Sequence, residues 1–313
     1  MIVAMRWSEG SARATRGEDS MPRAKEFRVL VASDGSLSAT AATVTAKCFP
    51  WPAGTRAYGV VSREVGTKEE WYSLEGALEQ AARATAETTT QALVRRWSDV
   101  RVRVVDGPPG AAIISAAKRH RADVIVMGWR GHSAVRRLLM GSVSRSVVRA
   151  APCSVLVVRR AVRHVTNVVI GVDGSEQSAR AVEFAKRLPP PEGGRILLVT
   201  AVPLMADPSN PLLPSDIRKT AASGVASINR RRVGEARANL ERLAKGPRAA
   251  GWKVDVAVPS AAPLESLLSA VTQSGANLLI VGATGASQLR RLLLGSVAQG
   301  ALDRSPVPVL IVR

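Results

Sequence analysis

The chain has 313 residues, of which 46% are hydrophobic, and it carries a formal net charge of +19. This length predicts two domains of about 150 residues, each large enough to bury its own core. The sequence contains no uncharged apolar run of about eighteen residues, which argues against a membrane-spanning helix. Its two cysteines, Cys48 and Cys153, lack metal-site spacing and fit a reducing cytoplasm better than a disulfide framework.

The positive charge is typical of proteins that bind nucleic acids. It is nevertheless spread over both halves of the chain, and aromatic residues, which stack on bases, make up only 4% of the sequence. This distribution favours an arginine-rich, solvated surface. Nucleic-acid contact stays as an alternative, with Arg230-Arg231-Arg232 the densest basic cluster.

Residues 1–26 have no apolar stretch of signal-peptide length and are interrupted by charges and glycines, so we predict a disordered tail. Met21 precedes the first strand-like run and is an alternative start of translation. Two domains follow, at residues 27–160 and 161–313, which we call copy one and copy two.

Each copy alternates short Val/Ile/Leu runs with longer helical patterns, as in a parallel sheet covered by helices. In copy one, we predict strands at 28–33, 57–62, 101–105, 123–127 and 154–158, and helices at 36–47, 69–97, 110–120 and 142–150. In copy two, we predict strands at 167–172, 195–202, 253–258, 278–281 and 307–312, and helices at 175–187, 215–245, 263–274 and 296–303.

The two halves are a tandem duplication. "RVLVASDGS" at 28–36 matches "NVVIGVDGS" at 167–175, and "APCSVLVVR" at 151–159 matches "SPVPVLIVR" at 305–313. Copy two is longer, and we place its extra residues in the Pro-rich segment 203–216. Five strands and four helices per copy predict a doubly wound α/β domain, in which ligands bind beyond the carboxyl ends of the strands where the strand order reverses.

Two motifs fall at that point in each copy. Asp34 follows the first strand and Gly128 ends the fourth, so both should reach the same edge of the sheet. Asp34 either accepts hydrogen bonds from a ligand or caps the helix that follows it. Asp173 occupies the same place in copy two. Its recurrence does not separate the two interpretations, because a cap would be duplicated too.

The second motif is a glycine frame, with Gly128, Gly131, Gly141 and Ser142 in copy one and Gly282, Gly285, Gly295 and Ser296 in copy two. The first two glycines indicate a close backbone approach or a positive φ. The third opens a helix whose free amides suit an anion such as phosphate. In the alternative interpretation, the glycines only end a strand and allow tight packing, and Ser142 is an ordinary helix cap.

The spacing G-2x-G-9x-G-[ST], together with "VASDGS", "DVIVMG" and the closing "PCSVLVVR", resembles the universal stress protein family over nearly the whole chain after residue 26. The resemblance implies two tandem Rossmann-like domains of the adenine nucleotide alpha hydrolase type, each with a five-stranded, parallel-type sheet and each able to bind ATP. It implies that Asp34 and Asp173 approach the adenosine. The glycines, Ser142 and Ser296 would hold the phosphates, Val143 and Val297 would line the pockets, and Ser144 would add a hydroxyl in copy one.

Copy two departs from copy one at Ala298, which replaces Ser144, and at Asn277, which replaces Asp123. We therefore expect weaker binding in copy two. Any Mg²⁺ or Mn²⁺ would be held mainly by the ATP phosphates. The pairs Arg136-Arg137 and Arg290-Arg291 would either meet a terminal phosphate or form solvated faces.

The resemblance also implies that the closing strands of the two copies pair as a pseudo-dimer, and a homodimer of the whole chain is an additional expectation. The leading functional hypothesis is a cytoplasmic, nucleotide-dependent stress or regulatory protein that acts on an unknown protein partner. Slow ATP hydrolysis is the enzymatic alternative, although no general base stands near the frame in the sequence.

Overall fold

The computed structural model describes residues 26–63, 75–131, 140–206, 214–285 and 294–313. The pairs Arg136-Arg137 and Arg290-Arg291 lie outside these ranges. Within them, the strands are β1 (Arg28–Ala32), β2 (Arg56–Arg63), β3 (Arg101–Asp106), β4 (Val124–Gly128), β5 (Ser154–Val158), β6 (Asn167–Gly171), β7 (Arg195–Val199), β8 (Lys253–Ala257), β9 (Leu278–Gly282) and β10 (Val309–Val312). The helices are α1 (Leu37–Cys48), α2 (Glu75–Val94), α3 (Pro109–His120), α4 (Ser142–Ala150), α5 (Glu176–Lys186), α6 (Ser215–Ala249), α7 (Pro263–Gln273) and α8 (Ser296–Arg304).

The strands of the described residues join one sheet in the order β3-β2-β1-β4-β5-β10-β9-β6-β7-β8. Within each copy the pairs are parallel, and β1 lies between β2 and β4 as β6 lies between β7 and β9. The predicted α/β architecture is confirmed. The strand order reverses beside β1 and β6, so the carboxyl ends of β1 and β4, and of β6 and β9, flank the two switch points.

The sheet has a continuous core on each face. Alternate residues of the same strands point to opposite faces, so Val29 and Val126 belong to one core cluster and Leu30 and Ile125 to the other. Both clusters run through strands of both copies. Strands buried on both faces read as uninterrupted apolar runs, which is why β4 and β5 were recognisable in the sequence.

The two copies meet at the antiparallel pair β5–β10, in which Leu156 lies opposite Leu310. The predicted internal pairing of the closing strands is therefore confirmed. Arginines at the strand ends reach across this seam: Arg159 donates to the Asp303 carbonyl at 2.7 Å and Arg313 to the Arg149 carbonyl at 2.8 Å. Each cation thus lies at the C-terminal end of a helix from the other copy, where the helix dipole favours positive charge.

The described part of α6 has 35 residues and that of α2 has 20. Residues 64–74 and 207–213 lie outside the described residues, so the placement of the extra residues of copy two in the Pro-rich segment stays a prediction. Residues 69–74 of the predicted helix 69–97 lie outside the described residues, and α2 ends at Val94 because a tight turn follows it, with the Arg96 amide bonded to the Leu93 carbonyl at 2.9 Å. Among the described helices, none combines the length and apolarity needed to cross a membrane.

Candidate functional site

In the Asp-Gly-Ser turn after β1, the aspartate and the serine have different roles. Gly35 has φ 79°, a conformation that glycine adopts without strain. The Ser36 amide donates to Asp34 Oδ1 at 3.0 Å, and Ser36 Oγ caps α1 by accepting from the Ala39 amide at 3.2 Å. The helix cap is therefore Ser36, and the alternative that made Asp34 the cap is wrong.

Copy two builds the same turn. Gly174 has φ 82°, the Ser175 amide donates to Asp173 Oδ1 at 3.0 Å, and Ser175 Oγ caps α5 by accepting from the Ser178 amide at 3.1 Å. In both copies the aspartate is exposed at the carboxyl end of the first strand. One carboxylate oxygen shapes the turn, and the other faces the glycine frame.

The first two glycines of each frame permit close approach. A Cβ on Gly128 would lie 2.7 Å from the Ser38 carbonyl carbon at the start of α1, and a Cβ on Gly131 would overlap Oδ2 of Asp34. None of the frame glycines, all within the described ranges, has a positive φ. Of the two explanations for these glycines, the close approach is therefore correct.

The same contacts recur in copy two, where a Cβ on Gly282 would lie 2.9 Å from Gln177 Cβ and a Cβ on Gly285 would lie 2.7 Å from Asp173 Oδ2. In copy one, Ser36 Oγ also donates to the Arg130 carbonyl at 3.2 Å, which ties the turn after β1 to the frame after β4. The two distant motifs of each copy therefore meet, as the sequence predicted.

The third glycine closes each frame. The Gly141 amide donates to the Trp129 carbonyl at 3.1 Å, and the Gly295 amide to the Ala283 carbonyl at 2.8 Å. Gly141 and Gly295 are themselves the N-cap residues of α4 and α8, and among the described residues no side chain caps either helix.

Ser142 is therefore the first helical residue of α4, as Ser296 is of α8, and the interpretation of Ser142 as an ordinary cap is wrong. A helix start without a side-chain cap presents amide donors and the positive end of the helix dipole, an arrangement that suits an anion.

Each frame opens into a cavity, of 730 Å³ in copy one and 360 Å³ in copy two. Every site residue proposed from the sequence lines one of them. The first contains Asp34, Gly128, Gly131, Gly141, Ser142, Val143 and Ser144, and the second contains Asp173, Gly282, Gly285, Gly295, Ser296 and Val297.

The outer walls of the two cavities differ. In copy one, the wall includes Leu78 and Thr85 of α2 and Arg63 at the end of β2, whereas no α6 residue is among the described residues that line the copy-two cavity. Arg63 donates to both carboxylate oxygens of Asp106, at 2.7 and 3.0 Å, and these bonds lower the pKa of Asp106. Among the described residues, no three His, Cys, Asp or Glu side chains form a group that suits a metal ion.

Two sequence differences between the copies have local structural roles. Ser144 is 3% exposed and its hydroxyl donates to the Gly128 carbonyl at 2.8 Å, so this hydroxyl anchors α4 on β4. Asp123 lies at the opposite end of β4, where it accepts from the Arg28 amide at 2.9 Å, and Asn277 accepts from the equivalent Asn167 amide at 3.3 Å. Both residues lie at the end of the strand away from the glycine frame, so this difference gives no structural reason for weaker binding in copy two, which stays a prediction.

Trp129 is a residue that the sequence reasoning missed. It stands between the first two glycines of the copy-one frame, is 6% exposed, and donates Nε1 to the Leu302 carbonyl of α8 at 2.9 Å. The Arg159 guanidinium lies over its ring at 3.8 Å. Trp129 therefore links the copy-one frame to copy two. Its counterpart in copy two is Ala283, whose side chain cannot form such a hydrogen bond.

Comparison with known proteins also divides the chain into two similar halves. A sequence profile described as "Universal stress protein family" matches residues 27–159 and again residues 164–313. The chain belongs to the universal stress protein family. It is therefore a stress-response protein with two tandem domains of this family.

Individual relatives carry the same family name. The chain is 38% identical over 136 residues to a universal stress protein of Thermus aquaticus, which covers 42% of this chain and 97% of the relative. It is 28% identical over 204 residues to one of Mycobacterium tuberculosis, covering 62% of this chain and 63% of that protein. Among solved structures, a universal stress protein from Archaeoglobus fulgidus covers 92% of this chain and 99% of its own, with 20% identity and a TM-score of 0.65, a likeness of fold.

Proposed function

We propose that this universal stress protein binds ATP at two sites, one in each copy, and acts as a cytoplasmic, nucleotide-dependent regulatory protein in a stress response. The observation that carries the proposal is the repeated meeting of an exposed aspartate, two close-packed glycines and an uncapped helix start at each switch point. The same proposal includes that the chain forms a homodimer and that a protein partner distinguishes its ATP-bound form from its ATP-free form.

The residues fit the ligand by chemistry. Asp34 and Asp173 are acceptors for the hydroxyl or amino groups of an adenosine, and the amides at the starts of α4 and α8 are donors for its phosphates. Val60, Ile113 and Met127 provide an apolar wall in the larger cavity. A divalent cation, Mg²⁺ or Mn²⁺, would enter with the nucleotide and take most of its ligands from the phosphates.

Isothermal titration calorimetry with ATP and Mg²⁺ tests the proposal. Gly131→Ala places a Cβ against the Asp34 carboxylate and should lower ATP affinity at the copy-one site by at least about tenfold, the effect of one lost charge-assisted hydrogen bond. Gly285→Ala should do the same at the copy-two site.

Gly224→Ala is the matched control, because a Cβ at this helical glycine meets nothing within 4 Å. It should leave both affinities unchanged. Absence of ATP binding by the folded wild-type protein, or equal affinities in Gly131→Ala, Gly285→Ala and wild type, would overturn the proposal.

A further inference from the structure

A second kind of cavity, of 580 Å³, lies at the seam between the copies. One wall comes from copy one, at the end of α3 and the starts of β4 and β5, and the other comes from α5 and the end of β10 in copy two. This seam cavity shares no lining residue with the two nucleotide cavities among the residues that the structure describes. Its volume is within the range of about 300–1,000 Å³ that is usual for small-molecule pockets.

The walls of the seam cavity carry more positive than negative charge. Its carboxylates are Asp123 and Glu183, and Glu183 is already paired with Lys186 at 3.2 Å. In the described part of the chain, Arg121 and Arg187 form no ion pair, and the Arg187 guanidinium is held 4.8 Å above the Phe27 ring. The cationic side chains of the cavity are Lys118, Arg121, Arg180, Arg187 and Arg313.

Arg121 occupies a backbone conformation that favours glycine. It has φ 49° and ψ 46° just after α3, and every other described residue with positive φ is a glycine. The same position after α7 in copy two is Gly275, with φ 60°. Copy one therefore retains a long cationic side chain at a place where the duplicated sequence uses the unstrained residue, which points to a role for the side chain.

The internal symmetry of the chain provides a control for the other wall. Alignment of the two copies places Ala41 and Cys48 of α1 opposite Arg180 of α5 and Arg187, which directly follows α5. It likewise places Thr272 opposite Lys118. Of the five cations of the seam cavity, only Arg313 has a cationic counterpart, Arg159, and the other four are replaced by neutral residues on the counterpart surface between α1 and the end of α7. Most of the positive charge is therefore not a consequence of the fold.

Arg313 adds a donor that has no acceptor. Its Nη2 donates to the Arg149 carbonyl, while its Nε is buried and has no hydrogen-bond partner among the described residues. A buried donor of this kind is uncommon in folded proteins and is often satisfied by a bound water or ion. Burial raises the pKa of the neighbouring Cys153 thiol to about 12, so this thiol adds no negative charge to the cavity.

We propose that the seam cavity binds a small anion that carries two or more phosphate groups, held between Arg121 of copy one and Arg187 of copy two. Arginine forks on opposite walls suit separate phosphates, since each guanidinium can donate two parallel hydrogen bonds to one group. Because the walls belong to different copies, the ligand bridges the two domains. The site is separate from the ATP sites and does not depend on their assignment.

Calorimetric titration with inorganic pyrophosphate tests this proposal. Arg187→Gln should lower the affinity by about tenfold or more, since one charge-assisted interaction is lost. Arg121→Gly should lower it similarly and at the same time raise the melting temperature, because glycine relieves the strained backbone. A purely structural role for Arg121 predicts a change in melting temperature without a change in pyrophosphate affinity.

Arg237→Gln on the exposed surface of α6 is the control for a loss of one positive charge, and Gly131→Ala with Gly285→Ala controls for phosphate binding at the glycine frames. Arg237→Gln should bind pyrophosphate as the wild-type protein does. The glycine variants should keep the binding that depends on Arg187, because the frames and the seam cavity share no described lining residue. The proposal is overturned by absence of wild-type binding, by an equal loss in Arg237→Gln, or by a loss confined to the glycine variants.

Discussion

The glycine frames of copy one and copy two share the contacts that shape them and differ in what surrounds them. In both, the second glycine abuts an aspartate and the third begins an uncapped helix. Around the first frame stand α2, Arg63, Ser144 and Trp129, and the cavity is 730 Å³, whereas the second cavity is 360 Å³. Duplication has kept the parts that suit a phosphate and allowed the walls to diverge.

The variant with the largest expected effect is Trp129→Ala, which gives copy one the residue that copy two has at Ala283. The change removes a buried ring, its hydrogen bond to Leu302 and its contact with Arg159. We expect a loss of about 3–5 kcal/mol in the free energy of unfolding. Urea unfolding followed by far-ultraviolet circular dichroism measures it.

Trp129→Phe separates the contribution of packing from that of the hydrogen bond, because it keeps most of the ring volume and removes the indole donor. The free energy of unfolding should fall less than in Trp129→Ala, because the phenylalanine ring keeps most of the packing. A loss below about 0.5 kcal/mol in Trp129→Ala, the range of ordinary surface changes, would show that the seam does not depend on this residue.

The second test is Ser144→Ala, which reproduces Ala298 of copy two. Loss of the buried bond from Ser144 Oγ to the Gly128 carbonyl should cost about 1 kcal/mol of stability. ATP affinity at the copy-one site should fall only about twofold to fivefold, because the hydroxyl positions α4 instead of touching the ligand. Calorimetry that shows a loss above about a hundredfold would contradict this, and would place the hydroxyl on the phosphate.

Much of the fold was predictable because its signals are local. β4 and β5 are continuous apolar runs, and the frame glycines recur at one spacing in both copies, so the strands and several residues that line the two cavities could be named from the sequence. The resemblance of the closing strands to those of the universal stress protein family made their pairing expected.

The parts that escaped prediction depend on distant contacts. Trp129 meets Leu302, a residue 173 positions away, and nothing near Trp129 in the sequence indicates that partner. The cap was assigned to Asp34 as an alternative because aspartate and serine are both good caps, and only geometry distinguishes Ser36. The basic seam cavity is assembled from α3 and α5 of different copies and has no sequence motif.

The smallest expected effect belongs to Asp123→Asn, which gives copy one the residue that copy two has at Asn277. An asparagine oxygen can still accept from the Arg28 amide, as Asn277 accepts from the Asn167 amide, so stability should change by less than about 1 kcal/mol. ATP affinity should not change, because Asp123 lies at the end of β4 away from the frame. The seam cavity, which Asp123 lines, should instead bind pyrophosphate more tightly after the loss of a negative charge. Titration of the variant with both ligands checks this, and a fall in ATP affinity would restore the sequence-based view that the Asp/Asn difference weakens nucleotide binding.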